Sequence, residues 1–137
     1  MKQEYIIGDV VMYGNKIMVI EEPREEGHFD LLWNNWIIYS YINIEEIKPI
    51  PLTPEILEKN GWDKEEKDGS VFSLSEAFMG GDEDDEDNYT CFQLYYQNKK
   101  DGWVIDMRGE PLKFGVHYVH ELQHLFFGLG INHEMEV

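Results

Sequence analysis

Tyr5-Ile6-Ile7-Gly8-Asp9-Val10-Val11-Met12-Tyr13-Gly14-Asn15-Lys16-Ile17-Met18-Val19-Ile20-Glu21 is the stretch that decides the fold. Two runs rich in β-branched and aromatic residues flank Gly14-Asn15, so the stretch reads as a β-hairpin closed by a tight turn. Pro23 to Gly27 is a charged turn, and Phe29 to Trp33 and Trp36 to Ile42 then form a second hairpin around Asn34-Asn35.

Four short strands joined by tight turns predict a small antiparallel β-barrel over residues 1–50. The Gly8-Asp9-Val10 entry resembles that of SH3-like barrels. Alternation along the strands sends half of Trp33, Trp36, Tyr39 and Tyr41 into the barrel and half outward, which makes Trp33 and Trp36 candidates for contact with a partner.

Ile47-Lys48-Pro49-Ile50-Pro51-Leu52 is extended, because a residue that precedes proline avoids the helical region, and it marks a subdomain boundary. A short helix follows, with Thr53 as N-cap, Pro54 in its first position and Gly61 in a left-handed terminating position, where Trp62 packs back on Leu57. Asp63 to Gly69 is a charged turn. Strands are predicted at Ser70 to Ser75, Thr90 to Gln97 and Trp103 to Met107, with Leu112 to Gly115 as a candidate fourth, and a helix starts near Val116. The expected fold class is therefore α+β: an SH3-like barrel, then a helix, a three- to four-stranded antiparallel sheet and a C-terminal amphipathic helix over residues 51–137.

Hydrophobic residues make up 42% of the 137-residue chain and aromatics 14%, enough to build a core. No run approaches the ~20 apolar residues of a membrane span, and Met1-Lys2-Gln3-Glu4 does not open a signal peptide, so no membrane association and a cytoplasmic location are expected. Lone Cys91, in an apolar run, reads as a buried strand residue. Asp and Glu outnumber Lys and Arg by 28 to 11, giving a net charge of −17 that repels nucleic acid phosphates. Direct nucleic acid binding is excluded for want of a basic patch. Binding of basic proteins, including an inhibitor that mimics nucleic acid, is compatible with this charge.

His120-Glu121-Leu122-Gln123-His124 matches H-E-x-x-H, in which two histidines on one helix face hold Zn²⁺ and the glutamate activates a bound water. A small zinc metallopeptidase would take His120 and His124 as metal ligands and Glu121 as catalytic base. Three observations weigh against it. At about 100° per residue, Tyr118, Val119, Leu122, Leu125, Phe126 and Leu129 form the core-facing arc, which leaves His117, His120, Glu121 and His124 on the opposite side, toward solvent or a partner. The extended spacing H-E-x-x-H-x-x-G-x-x-H needs Gly at 127 and His at 130, where the chain has Phe127 and Gly130. His117 lies about 10 Å along a straight helix from His124, too far to complete the set; His133, Glu134 or Glu136 could fold back as third ligand, but the short stretch after His124 leaves little chain to build a substrate wall, and nothing in the pattern covers the histidine face as a substrate cleft would. No cofactor is therefore assigned. Gln123 and Phe127 flank the apolar arc and are interaction candidates.

Gly80-Gly81 followed by Asp82 to Asp87 lacks the Gly and Glu that a calcium loop requires at 87 and 93, and reads as a disordered, solvated insert over about 80–88. The segments Ile47-Lys48-Pro49-Ile50-Pro51-Leu52-Thr53 through Asn60-Gly61-Trp62, together with Tyr118-Val119-His120-Glu121-Leu122-Gln123-His124-Leu125-Phe126-Phe127, resemble a group of short proteins of gut-type anaerobic bacteria and their phage-like elements. That group has no assigned activity. Its members commonly carry Gln at the position of Glu121 and Asn at that of His124, so the resemblance implies no zinc requirement. The chain departs from it by the acidic insert and by ending the helix in Gly128-Leu129-Gly130-Ile131. The expected function is that of a noncatalytic accessory protein of phage or mobile-element origin, acting through an unidentified protein partner or through self-association.

Overall fold

The computed structural model describes residues 4–77, 89–107 and 110–137; the acidic insert lies outside them. The described chain is mostly β, with two five-stranded antiparallel sheets and two α-helices. The first sheet contains β1 (Val10–Tyr13), β2 (Lys16–Pro23), β3 (His28–Trp33), β4 (Ile37–Asn43) and β5 (Ile47–Pro49), in the order β4-β3-β2-β1-β5. The second contains β6 (Asp63–Lys64), β7 (Val71–Ala77), β8 (Tyr89–Asn98), β9 (Gly102–Met107) and β10 (Glu110–Val116), in the order β10-β9-β8-β7-β6. Helix α1 (Pro54–Lys59) joins the sheets and α2 (Val119–Gly128) follows β10. None of the helices is long and apolar enough to cross a membrane.

The expected SH3-like barrel is not formed. Sheet closure would require a ladder between β4 and β5, and these are instead the two edges of an open sheet. Curling replaces closure. Val11, Met18, Ile20, Phe29, Leu31 and Ile47 pack on one another and on Tyr5 in a small core of their own. The connector Ile47–Pro49, read from its prolines as a plain boundary, is β5 and pairs with Val11–Tyr13. The second sheet likewise has one strand more than expected, because Asp63–Lys64 pairs with Phe72–Ser73.

Turn chemistry explains the hairpins. Asn34 and Asn35 both take positive φ, at 54° and 68°, a conformation whose twist matches that of the flanking strands and that asparagine tolerates better than most residues. Tyr41 also has positive φ, at 59°, in a bulge of β4 opposite Asp30. The Asp30 carboxylate holds this bulge by accepting from Tyr41 N at 2.9 Å and from Arg24 Nε and Nη2 at 3.0 and 2.6 Å. The Arg24 guanidinium, followed by the Tyr41 amide, keeps the Asp30 pKa below its ordinary value.

Helix α1 is bounded as its sequence dictates: the Thr53 hydroxyl accepts from Ile56 N at 3.3 Å, and Gly61 follows the helix at φ 88°. Leu57 and Trp62 are buried beside each other in the main core, which also takes Val10 from the first sheet, Phe72, Phe92, Leu94, Trp103 and Ile105 from the second, and Leu122 and Phe126 from α2. Trp62 stacks on Phe126 with ring centroids 6.3 Å apart. The connector pairs with the entry to α2, since Leu52 N donates to His117 O and Val119 N to Ile50 O, both at 2.9 Å. Cys91, expected in the core, is exposed on β8, whose alternation sends neighbouring Phe92 inward instead.

Glycine is indispensable where β10 leaves the β8–β9 hairpin. A Cβ on Gly115 would stand 1.7 Å from Asp101 O, so any side chain forces the two backbones apart. Replacement Gly115→Ala is expected to cost about 1–3 kcal/mol or more in urea unfolding. Gly128→Ala, at a helical position with open space around it, should be neutral or stabilise by a few tenths of a kcal/mol, up to about 1 kcal/mol.

Candidate functional site

Helix α2 begins at Val119 rather than near Val116, because β10 runs on to Val116 and Tyr118 remains extended as N-cap. The apolar arc lies where periodicity put it, with Val119, Leu122 and Phe126 buried in the main core. The opposite face differs from expectation. It is covered by the segment Tyr5–Val10 and by the chain after α2, so that His120 is only 2% exposed and Gln123 is fully buried. Such residues can be buried because hydrogen bonds replace those lost to water, which hydrophobic periodicity does not register.

Gln123 is the clearest case. Its Oε1 accepts from Val10 N at 2.9 Å, while its Nε2 donates to Gly8 O at 2.9 Å and to His133 O at 3.0 Å. One side chain thus joins α2 to the start of β1 and to the C-terminal tail. It is not available to a partner at the surface. His124 Nε2 donates to Asp9 Oδ2 at 2.6 Å, and the same oxygen accepts from Ile6 N at 2.8 Å. Asp9 is fully buried, and its Oδ1 has no hydrogen-bond partner among the described residues. The bond to Asp9 raises the His124 pKa. His120, packed against the rings of Tyr5 and Tyr118 at 5.0 and 5.9 Å, has its pKa lowered, chiefly by burial. Burial likewise pushes the Tyr5 hydroxyl up to about 12, with the Asp9 charge adding to it.

Glu121 is engaged at the helix N-terminus. Its Oε1 accepts from the backbone N–H groups of His117 and Tyr118, each at 2.9 Å, a reciprocal capping arrangement that favours a carboxylate in the first turn. His120 and His124 are adjacent, with rings 5.4 Å apart, and Asp9 reaches His124. Even so, no group of three His, Cys, Asp or Glu side chains among the described residues is arranged to hold a metal ion.

The remaining candidates are at the surface. Trp36 is 80% exposed beside the Asn34-Asn35 turn, whereas Trp33 is half-buried against Tyr39, with the Lys16 ammonium 5.4 Å from its ring centroid. Phe127 is exposed on α2 and meets His133 edge-on at 5.1 Å. Sequence reasoning missed Asp9, although an acid between Ile7 and Val10 in a strand-like run is itself a sign of a buried polar contact. Comparison with protein-family models, curated proteins and solved structures finds no match.

Loss of the Gln123 bridge should be costly. Gln123→Leu keeps an apolar volume but leaves the Val10 N–H buried and unpaired, at about 1–3 kcal/mol per stranded group, measurable by chemical denaturation. The histidine pair gives a pH signature. A raised pKa means His124 stabilises the fold fully below its unfolded value near 6.5, and this contribution disappears as pH rises through the folded pKa. His124→Asn should therefore be least stable relative to the native chain in acid, the gap narrowing as pH rises. Imidazole NMR titration should place His124 above and His120 below the ordinary histidine value.

Proposed function

We propose that this is a noncatalytic protein-interaction protein of the cytoplasm, carried by a phage or related mobile element, that acts by binding another polypeptide. The observation that carries this reading is where the apolar surface is concentrated. Trp36, Ile37, Ile38 and Tyr41 are all exposed within one turn and one edge strand, and β4 contains no charged residue. Isolated exposed apolar residues are commonplace, but four between positions 36 and 41 on an otherwise strongly acidic protein favour a contact surface. The H-E-x-x-H residues meanwhile serve the fold: Glu121 caps α2, Gln123 bridges three segments and His124 anchors Asp9.

Cross-linking in the cells that make the protein, followed by mass spectrometry, is expected to yield one dominant partner joined through residues near Trp36. A purified chain that hydrolysed a peptide substrate, with the activity abolished by Glu121→Gln, would overturn the reading.

A further inference from the structure

Four residues stand directly opposite one another across the first sheet: Val10 pairs with Val19, Val19 with Leu32, and Leu32 with Ile38. Directly opposed residues on antiparallel strands share a face, so the row crosses β1 to β4 on the face turned toward the main core. Its burial falls steadily outward. Val10 is buried under α2, Val19 and Leu32 are half-buried, and Ile38 is 54% exposed. Ile17, opposite Met12 in the next row on that face, is exposed as well. The core thus continues past its cover and emerges as an apolar strip.

The inner part of the strip floors a cleft of ≈ 620 Å³, with Val10, Val19 and Leu32 below and Lys59, Asn60, Glu134 and Glu136 along the far wall, and Ile38 continues the row beyond that lining. That wall is fixed in place. Asn60 Nδ2 donates to Glu136 O at 2.7 Å while its Oδ1 accepts from Glu136 N at 2.8 Å, and Gln123 holds His133 O. The Lys59 ammonium donates to Val137 O at 3.0 Å, whereas the Glu134 and Glu136 carboxylates have no ion-pair partner among the described residues. A second copy would bring the same two glutamates and its own charge of −17 to this rim, where like charges repel.

We propose that this cleft, together with the row that runs from it to Ile38, is the docking groove for a cationic amphipathic segment of the partner protein. Apolar side chains of the segment lie on Val19, Leu32 and Ile38, and its lysines or arginines face Glu134 and Glu136. The inference rests on the protein-contact reading above and specifies its site and the chemistry of its partner. A wall already ordered by Asn60 and Gln123 needs little rearrangement to bind, which favours recognition of a short segment.

The test is titration of isotope-labelled full chain with two synthetic peptides of about twelve residues, one alternating leucine with lysine and one alternating leucine with glutamate, followed by amide NMR. The lysine peptide is expected to shift Val19, Leu32, Asn35 and Ile38, and the glutamate peptide to leave them unmoved. Ile38→Asp should weaken binding by about tenfold or more, although it adds negative charge; a merely electrostatic association would instead strengthen. Glu134→Gln with Glu136→Gln should weaken binding and reduce its dependence on salt. Ile38 is exposed, so neither variant is expected to disturb folding, and unchanged spectra elsewhere verify this.

Shifts located elsewhere, equal binding of both peptides, or undiminished binding by Ile38→Asp would overturn the groove. A wild-type dimer dispersed by Ile38→Asp in sedimentation, without peptide binding, would overturn it in favour of a second copy. Cross-linking separates the two levels: a partner recovered equally by wild type and Ile38→Asp overturns the groove alone, whereas recovery by neither overturns the protein-contact reading too.

Discussion

The hydrogen bonds of the Gln123 side chain tie together three parts of the molecule: helix α2, the start of β1 and the C-terminal tail. Residues far apart in sequence, Gly8 and Val10 on one side and His133 on the other, converge on one buried amide. Because donor and acceptor ends are both used, the group is satisfied without water, and any shift of α2 relative to β1 would break several bonds together. The first sheet is thereby fixed relative to the helix that closes the second. His124 and Asp9 add a contact beside it, and Tyr5 packs on the neighbouring His120.

This makes α2 a helix with two buried sides of different character. One is apolar and joins the main core through Leu122 and Phe126; the other is polar and joins the N-terminal segment through His120, Gln123 and His124. A sequence match to a catalytic motif and a structural demand for polar residues on one helix face are hard to tell apart by pattern, since both place histidine and glutamate at helical spacing. The contacts made here show how the fold uses these residues. Glu121 points back to its own helix N-terminus, and His120 sits among aromatic rings.

Much of the architecture was legible because it is written in local chemistry. The Asn34-Asn35 turn, the Thr53 cap, the glycine after α1 and the apolar arc of α2 depend on neighbours a few residues away. What escaped sequence reasoning depends on distant partners. Strand β5 has proline-rich composition and is a strand only because β1 offers it an edge; β6 is two charged residues paired to β7. Whether the first sheet closes or merely curls is decided by how its edges meet, which no turn motif specifies. The candidate site divides in the same way. Trp36 and Phe127 are exposed, while Gln123 is buried under partners that include Gly8 and Val10, each more than a hundred residues away in sequence.

The clamp of Asp30 on Arg24 and Tyr41 has a bearing on how far the exposed sheet edge can be extended. An edge strand without charge is a template for indefinite addition of further strands, and β4 has such a composition. Tyr41, held at positive φ by Asp30, twists the strand out of register partway along, so a flat ladder cannot extend over its full length. The bulge therefore works against open-ended strand addition along β4, while the apolar side chains near the Asn34-Asn35 turn stay exposed.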